Sequence, residues 1–191
     1  NSVFEDLEKI FRKIGVLTSG GDAPGMNAAI KAVTCAAIDK GVEVIGILGG
    51  YSGLINDKIR PLSKLDVSSI ESMGGTFLYS DRCDEFKTEE GMQKAIATCK
   101  KHNIDGIVAI GGDGTFRGAT DLSIRGIPCI GVSGTIDNDI ASTSHTIGYD
   151  TALNTIMDMV DRVRDTTESH DRCSVIEVMG RNAGFLALNA G

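Results

Sequence analysis

The length, composition and charge of the 191-residue chain exclude several kinds of protein. With 41% hydrophobic residues and a mean hydropathy of +0.02, the chain has the composition of a globular domain with a sizeable core. Its net charge of -7 argues against a nucleic-acid-binding surface, and no apolar run approaches the length that crosses a membrane. The 24 glycines beside only 3 prolines indicate many tight turns rather than disorder.

The 5 cysteines are an odd number and include no Cys-x-x-Cys pair. Cys129 and Cys173 lie in apolar, strand-like runs, where a thiol behaves as a small hydrophobic group. We therefore predict reduced, structural cysteines and a cytoplasmic location. Residues 1–12 mix acidic and apolar side chains at helical spacing, which favours a short amphipathic extension over a secretory signal.

Predicted strands alternate with predicted helices along the chain. Apolar, largely β-branched runs predict strands, and apolar residues three and four positions apart predict helices. The expected strands are 13–18, 42–48, 107–110, 128–132 and 173–179, and the expected helices are 27–40, 89–102, 115–124, 150–167 and 182–190. This alternation predicts an α/β fold, with Rossmann-like, doubly wound layers of helix on both faces of a mostly parallel sheet.

The part of the chain between residues 49 and 88 is less regular. Residues 49–53 predict a glycine turn, and the polar residues 57–65 are expected to be irregular. A short helix is expected over 66–73, and Thr88 is expected to cap the helix that follows it. Because the carboxyl ends of parallel strands meet at one edge of a sheet, the glycine turns that follow the strands are expected to converge on one site.

The most informative glycine turn covers residues 111–114 and lies between the strand 107–110 and a predicted helix. Backbone N–H groups at the start of a helix favour an anion such as phosphate. Asp113 would repel that phosphate unless a cation lay between them, so we expect a nucleotide phosphate with a divalent metal, Mg²⁺ by ligand type. The chain contains neither a Walker-type phosphate loop nor a protein-kinase catalytic loop.

A second candidate site, Thr135-Ile136-Asp137-Asn138-Asp139, directly follows another predicted strand. Two carboxylates two residues apart in an extended segment point to the same side. Their proximity raises the pKa of one of them and suits a general base beside a group that orients a cation. An ordinary Asx-rich turn is the alternative interpretation, and the position on the same edge as the glycine turn favours the functional one.

Three arginines, Arg82, Arg172 and Arg181, are flanked by small or polar residues rather than set on a helix face. Guanidinium groups bind phosphate oxygens at two points and neutralise charge during phosphoryl transfer. A solvated surface arginine is the simpler interpretation of each one alone, except for Arg181, which directly follows a predicted strand. The residues by themselves predict a metal-assisted phosphotransferase with Asp137 as the general base on an acceptor hydroxyl.

Four motifs, at residues 13–27, 111–115, 134–139 and 177–181, resemble those of the bacterial 6-phosphofructokinase family in order and spacing. The resemblance runs from about Lys13 to the end of the chain. It implies ATP-dependent phosphorylation of fructose 6-phosphate at its 1-hydroxyl, with Mg²⁺, in a cytoplasmic homotetramer. The net charge and the lack of a long apolar run predict no nucleic-acid partner and no membrane.

The resemblance also implies roles for individual residues. The positions that match ATP contacts are Gly20, Tyr51, Arg82, Cys83, Gly112, Asp113, Gly114 and Thr115, and Asp113 matches the Mg²⁺ site. The positions that match sugar-phosphate contacts are Thr135, Ile136, Asp137, Arg172, Met179, Gly180 and Arg181. The catalytic positions are Asp137, which matches the base, and Thr135, Asp139 and Arg181. Arg172 matches a residue that reaches across from a neighbouring subunit.

Two glycines bear on the identity of the phosphate donor. Relatives that use pyrophosphate resemble this pattern but have aspartate and lysine in place of Gly114 and Gly134. A side chain at Gly114 would occupy space that the rest of a nucleotide needs. The resemblance therefore implies ATP as the donor.

The chain departs from the family at its effector site. Lys31 and Cys35 stand where the family typically has arginines, and Arg164 matches a third effector contact. Because one positive charge is lost, control by ADP or phosphoenolpyruvate is in doubt.

The resemblance divides the chain into three parts. They are an extension over 1–12, an ATP-binding α/β domain over 13–148 that is incomplete without later chain, and the beginning of a similar substrate and effector domain over 149–191. The chain stops at Gly191, before the family's usual end. We therefore expect the isolated chain to be poorly active.

Two other interpretations stay open. A different kinase, of the NAD kinase or lipid kinase type, shares the turn 111–115 but lacks the arrangement at 135–139. A non-catalytic nucleotide-binding or regulatory subunit is the other alternative, and the intact Asp113, Asp137 and Asp139 argue against it.

Overall fold

A computed structural model describes residues 11–141 and 143–191 of the chain. The strands are β1 (Lys13–Ser19), β2 (Glu43–Ile47), β3 (Ile59–Leu62), β4 (Gly106–Gly111), β5 (Cys129–Thr135) and β6 (Ile147–Gly148). They form a six-stranded sheet in the order β3-β2-β1-β4-β5-β6. The predicted extension over 1–12 lies outside the described residues except at its last two positions.

β1 and β4 lie at the centre of the sheet and are apolar along most of their length. β1 pairs in parallel with β2 and β4, and β4 pairs in parallel with β5. Val16 and Leu17 in β1 and Ala109 and Ile110 in β4 are fully buried, as parallel strands covered on both faces require. The expected mostly parallel sheet is confirmed, and β3 is the one edge strand that runs antiparallel to its neighbour, β2.

Helices cover both faces of this sheet. The helices are α1 (Met26–Asp39), α2 (Gly50–Ile55), α3 (Glu89–Lys101), α4 (Asp113–Ile124), α5 (Tyr149–Ser169) and α6 (Phe185–Ala190), of which α1 to α4 contribute to the buried clusters on the two faces. Leu17 packs in the core cluster that includes residues of α2, α3 and α4, whereas its neighbour Val16 packs in the cluster that includes residues of α1. Since adjacent strand residues point to opposite faces, the two clusters lie on opposite sides of the sheet, and the predicted three-layer fold is confirmed.

The predicted start of α3 is also confirmed. The Thr88 hydroxyl accepts a hydrogen bond from the Gly91 N–H at 3.1 Å, which satisfies one backbone donor of the first turn. Glu89 and Glu90 follow it in that turn, and the last turn carries lysines. Both sets of charges complement the helix dipole.

Two segments between β2 and α3 are more regular than predicted. The expected glycine turn at 49–53 contains the start of α2, in which Tyr51 and Leu54 are buried against the sheet. The expected irregular segment 57–65 contains β3, whose backbone pairs with the edge of β2. Burial of α2 and edge pairing of β3 override the weak local patterns of both segments.

Two predicted elements do not form. The expected helix over 66–73 is reduced to a 3₁₀ turn at Ile70–Ser72, and the Asp66 carboxylate accepts a hydrogen bond from the Ser63 N–H at 2.8 Å instead of capping a helix. The expected strand over 173–179 is wrong. A strand needs a neighbouring strand, and no strand within the described residues pairs with this segment.

α5 and α6 pack against each other beside the sheet. Tyr149 is the buried residue of α5, and its hydroxyl accepts a hydrogen bond from Asn189 Nδ2 in α6 at 2.8 Å. Among the helices of the described residues, none has the combined length and hydropathy that crossing a bilayer would require.

Candidate active site

Three parallel strands end side by side at the edge where the predicted site residues lie. Ser19 at the end of β1 is in register with Gly111 at the end of β4, and Gly111 is in register with Ser133 of β5. The turn after β1, the turn after β4 and the loop after β5 therefore begin next to one another. This is the edge at which ligands bind in open α/β sheets.

The turn after β4 is closely packed against the end of β1. The Thr115 hydroxyl donates to the Ser19 carbonyl at 3.0 Å, and the Tyr51 hydroxyl donates to the Thr115 carbonyl at 2.7 Å. A Cβ at Gly111 would lie only 2.6 Å from the Ser19 carbonyl oxygen, so the close approach of the two turns requires glycine there. α4 begins directly after Gly112 and presents its N-terminal N–H groups at this edge.

Asp113 is the first residue of α4 and is exposed. Its carboxylate forms an ion pair with Arg117 Nε one helical turn later, at 2.9 Å. Within the described residues no three His, Cys, Asp or Glu side chains are grouped to hold a metal. A single exposed carboxylate at the start of a helix is the kind of ligand that Mg²⁺ accepts, since this ion binds proteins through one or two carboxylates together with phosphate oxygens and water.

The loop after β5 is held in shape by hydrogen bonds that cross it. The Asp137 N–H donates to the Thr135 hydroxyl at 3.2 Å, and the Thr146 hydroxyl donates to the Thr135 carbonyl at 2.6 Å. The Asn138 amide oxygen accepts from the Thr146 N–H at 2.9 Å. These contacts fix the backbone on both sides of Asp137.

Asp137 is partly buried among charges of both signs. Burial and the negative charge of Asp139 raise the pKa of Asp137, and the positive charges of Arg181 and Arg82 act in the opposite direction without cancelling the rise. Asp137 therefore lies within the electrostatic field of all three predicted neighbours. A carboxylate with a raised pKa is a stronger base than one in water.

The glycine turn and the carboxylate loop face each other. A Cβ at Gly112 would lie 3.5 Å from the Thr135 Cβ. The predicted phosphate site at the start of α4 and the predicted base loop are thus in contact distance, as a transfer between a donor and an acceptor requires.

Arg82 follows a loop that is bonded to the turn after β1. The Gly20 N–H donates to the Asp81 carbonyl at 3.1 Å, and the Ser80 hydroxyl donates to the Gly20 carbonyl at 2.6 Å. Gly20 has φ +88°, which favours glycine. The structure therefore brings together Gly20 and Arg82, which the sequence places 62 positions apart.

Arg181 reaches the site from a turn and not from the end of a strand. It has φ +53°, and the Ala183 N–H closes the turn on the Gly180 carbonyl at 3.0 Å. Gly180 is buried, whereas Met179 is 77% exposed. The prediction that Arg181 directly follows a strand is wrong, although its charge acts on Asp137.

Tyr51 and Cys83 lie behind the glycine turn. The Tyr51 ring is 4% exposed and stacks on Phe86 with centroids 3.9 Å apart. Cys83 is partly buried against the same cluster. In this arrangement Tyr51 supports Thr115 from the core side, and the ATP contacts of both residues stay predictions.

The remaining predicted residues lie away from this edge. Arg172 and Arg164 line a shallow cavity at the end of α5, and Arg164 also pairs with Asp161 at 3.3 Å. On α1, Lys31 donates to Glu71 at 2.5 Å, and Cys35 is partly buried. The effector role of the three residues stays a prediction.

Four residues that hold the site together had no role predicted from the sequence, although Asn138 lies within the second candidate site. Thr18 and Asn27 are buried and bonded to the loop before Arg82, and Asn138 and Thr146 brace the loop of Asp137. Thr18 carried a signal, because it is a polar residue inside a buried apolar strand. The others depend on contacts between distant parts of the chain.

The chain is similar to known phosphofructokinases. A family model described as "Phosphofructokinase" matches residues 13–191. The chain is 60% identical over 180 residues to a relative from Oceanobacillus iheyensis, and 59% identical over 180 residues to one from Bacillus subtilis, both named "ATP-dependent 6-phosphofructokinase". Each match covers 94% of this chain and 56% of the relative. The chain thus spans about half the length of the curated relatives that it matches.

Solved structures share the fold. The structure of phosphofructokinase from Saccharomyces cerevisiae superposes with a TM-score of 0.88 at 37% identity, covering 94% of this chain and 28% of that one. A pyrophosphate-dependent phosphofructokinase from Nitrosospira multiformis gives a TM-score of 0.84 at 22% identity, covering 94% of this chain and 49% of that one; this second likeness shows the fold alone. On the family match and these identities, the chain belongs to the phosphofructokinase family.

Proposed function

We propose that this chain carries the nucleotide-binding and base-bearing part of an enzyme that transfers the γ-phosphoryl group of ATP to the 1-hydroxyl of fructose 6-phosphate. The observation that carries the proposal is the position of Asp137. It is a partly buried carboxylate whose pKa is affected by the charges of two arginines, and it lies two residues after Thr135, which is beside Gly112 in the turn before α4. The relatives named ATP-dependent 6-phosphofructokinase support the same activity.

In the proposed reaction Asp137 accepts the proton of the acceptor hydroxyl. The raised pKa of Asp137 brings it nearer to the operating pH, which improves proton transfer. Thr135 and the N–H of Asp137 are bonded to each other, so the loop is arranged before the substrate binds. A general base of this kind contributes about 10²–10⁴-fold to the rate.

The donor phosphates would lie at the N-terminus of α4. Its first-turn N–H groups and the Arg82 guanidinium would stabilise the negative charge that moves between donor and acceptor. Asp113 would hold Mg²⁺, which neutralises phosphate charge in such reactions. Because Arg117 now pairs with Asp113, that ion pair would open when the metal binds.

Gly114 supports ATP as the donor. A Cβ at Gly114 would have no heavy atom within 4 Å, and its φ is not in the left-handed region. Neither packing nor backbone conformation therefore requires glycine, and a ligand outside the protein is left as the reason for the missing side chain. The same argument does not apply to Gly134, where packing is tight. A Cβ there would lie 3.1 Å from Ile110 Cγ2 and 3.3 Å from Met26 Cε.

The proposal extends to the rest of the enzyme. Residues 13–148 would form most of the ATP-binding domain and residues 149–191 the start of the substrate domain. Met179, Gly180 and Arg181 would contact the sugar phosphate, and Arg172 would do so from a neighbouring subunit of a cytoplasmic homotetramer.

The test is an enzyme-linked assay of Asp137→Asn in an enzyme of the relatives' full length that carries residues 13–191. We expect kcat to fall by about 10²-fold or more, with little change in ATP binding. Asp121→Asn, on the exposed side of α4, is the control and should keep full activity. Full activity of Asp137→Asn would contradict the proposal, as would phosphorylation of NAD or diacylglycerol in preference to fructose 6-phosphate.

A further inference from the structure

Residues 73–82, here named the Arg82 loop, lead from the 3₁₀ turn at Ile70–Ser72 to Arg82 without forming a helix or a strand. The loop carries two consecutive glycines, Gly74 and Gly75, and its tip is exposed. Nothing in its local sequence fixes its shape, since a glycine-bearing loop has many backbone conformations of similar energy. Its position over the site must therefore come from contacts with the rest of the chain.

Asn27, in the first turn of α1, holds the near end of the Arg82 loop. Its amide oxygen accepts from the Phe77 N–H at 2.6 Å, and its amide nitrogen donates to the Met73 carbonyl at 3.2 Å. Asn27 is 3% exposed. One buried side chain thus bonds to two backbone groups on either side of the glycines.

Thr18, near the end of β1, holds the middle of the loop. Its hydroxyl donates to the Tyr79 carbonyl at 2.8 Å and lies 3.0 Å from the Thr76 hydroxyl. Tyr79 has φ +58°, a conformation that costs free energy for a residue with a side chain. The bond to Thr18 is one contact that offsets this cost.

Two backbone bonds continue the same attachment toward Arg82. The Gly49 N–H donates to the Leu78 carbonyl at 2.8 Å, and the Gly20 N–H donates to the Asp81 carbonyl at 3.1 Å. The Leu78 side chain is fully buried. The loop is therefore fixed at successive points up to the residue before Arg82, whose charge acts on Asp137.

The chain provides its own comparison for a buried threonine. Thr34 on α1 is as fully buried as Thr18, yet its hydroxyl has no hydrogen-bond partner within the described residues. A buried hydroxyl without a partner costs stability, whereas a bonded one fixes the group that it contacts. The two threonines differ because the Thr18 hydroxyl bonds to the Arg82 loop, whereas the Thr34 hydroxyl does not.

We propose that Thr18 and Asn27 are positioning residues that hold the Arg82 loop, and through it the Arg82 guanidinium, in the geometry for phosphoryl transfer. The inference rests on the proposed function for the role of Arg82. The attachment of the loop itself rests only on the contacts above. The two parts can therefore be tested separately.

The first test measures amide hydrogen exchange in the full-length enzyme that carries this chain. Thr18→Val keeps the side-chain shape and removes the hydroxyl, and Thr34→Val is the matched control. We expect amides of the Arg82 loop to exchange about tenfold faster in Thr18→Val, as the loss of one hydrogen bond predicts, and to be unchanged in Thr34→Val. Thr18→Ser, which retains the hydroxyl, should restore slow exchange.

The second test measures kinetics. Thr18→Val and Asn27→Asp, in which the carboxylate still accepts from Phe77 but no longer donates to Met73, should each lower kcat by about 10- to 100-fold through misplacement of Arg82. In an Arg82→Ala background Thr18→Val should cause little further loss, because the two changes remove the same contribution. A merely structural role would give the same loss in both backgrounds.

The outcomes separate the two proposals. Equal exchange in Thr18→Val and Thr34→Val would overturn the positioning role, whatever the activity. Faster exchange with an undiminished kcat would show that the loop is held but does not position Arg82 for catalysis, and would also overturn it. A wild-type enzyme that holds the loop but does not phosphorylate fructose 6-phosphate would contradict only the proposed function.

Discussion

In the proposed reaction the general base is Asp137, and the charges around it act on its pKa. The pKa of Asp137 is subject to opposing effects: burial and Asp139 raise it, whereas Arg181 and Arg82 lower it. The net effect is a base that is stronger than an exposed aspartate. The two arginines limit the rise.

This balance predicts the direction of a pH shift. Asp139→Asn removes a negative charge that raises the pKa of Asp137, so the pKa falls and the acidic limb of kcat/KM moves to lower pH. The pH dependence of kcat/KM at saturating ATP measures the effect, with Asp121→Asn as the control. An acidic limb that stays in place or moves to higher pH would show that Asp139 does not act on the base.

Substitution of Gly114 by alanine is expected to have opposite effects on stability and on ATP binding. Because a Cβ there meets no atom within 4 Å, Gly114→Ala should leave the protein as stable or stabilise it by up to about 1 kcal/mol, since alanine is the better helix former. The KM for ATP should nevertheless rise by about tenfold or more, about 1.4 kcal/mol. Thermal unfolding and ATP titration measure the two effects, and an unchanged KM would contradict the proposed reason for the glycine.

At the scale of elements, α4 is anchored by a second glycine. A Cβ at Gly118 would lie 2.8 Å from the ring carbons of both Phe86 and Tyr51, which are stacked and buried. Gly118 therefore allows α4 to pack directly on the Tyr51 ring, and Tyr51 in turn supports the Thr115 carbonyl. The position of the glycine turn thus depends on contacts behind it.

Gly118→Ala is expected to lower the free energy of unfolding by about 1–3 kcal/mol, because the added methyl group must displace α4 or the rings. Gly114→Ala is its control on the same helix, with the same change in helix propensity and no clash. Urea denaturation of both variants measures the difference. Equal stability of the two variants would mean that the rings move aside without cost.

The sequence predicted those elements whose signals are local. Thr88 and the acidic residues after it identified the start of α3, and the apolar run before Gly111 identified β4, because caps and buried strands are visible within a few residues. β3 and α2 were missed since their formation depends on the edge of β2 and on burial against the sheet. For the same reason the contacts of Thr18 and Asn27, which span 46 to 61 positions, were not predicted.

The strand expected over 173–179 shows that an apolar pattern alone does not establish a strand. Its apolar pattern is that of a strand, yet Val175 is 95% exposed. A strand pattern predicts a tendency to pair, and pairing needs a partner. The approach of the Asp137 loop to the turn at residues 111–114 could be expected from the sequence, because both follow parallel strands, whose carboxyl ends converge in any doubly wound sheet. Arg82 and Arg181 directly follow no strand among the described residues, so their positions depend on contacts between distant parts of the chain.

At the scale of the whole molecule, the described chain is more closely packed before residue 149 than after it. The sheet and helices α1 to α4 surround two buried clusters. α5 has 21 residues, of which Tyr149 is buried, and exposed apolar side chains follow it at Val175, Met179 and Leu188. In proteins most helical stability comes from tertiary packing of an apolar face, so α5 in this chain has little of that support.

We therefore expect the 191-residue chain to unfold locally from residue 149 onward before its sheet does. Amide exchange should be fastest in α5 beyond its first turn and slowest in β1 and β4, whose residues are buried on both faces. Tyr149→Phe removes the hydroxyl that accepts from Asn189 and should speed exchange in α6 while leaving β4 unchanged. When the chain is part of an enzyme of the relatives' full length, exchange in α5 should slow, because the substrate domain would cover its apolar side chains. Exchange in α5 as slow as in β4 within the 191-residue chain would contradict this and would mean that the helix is stable without further packing.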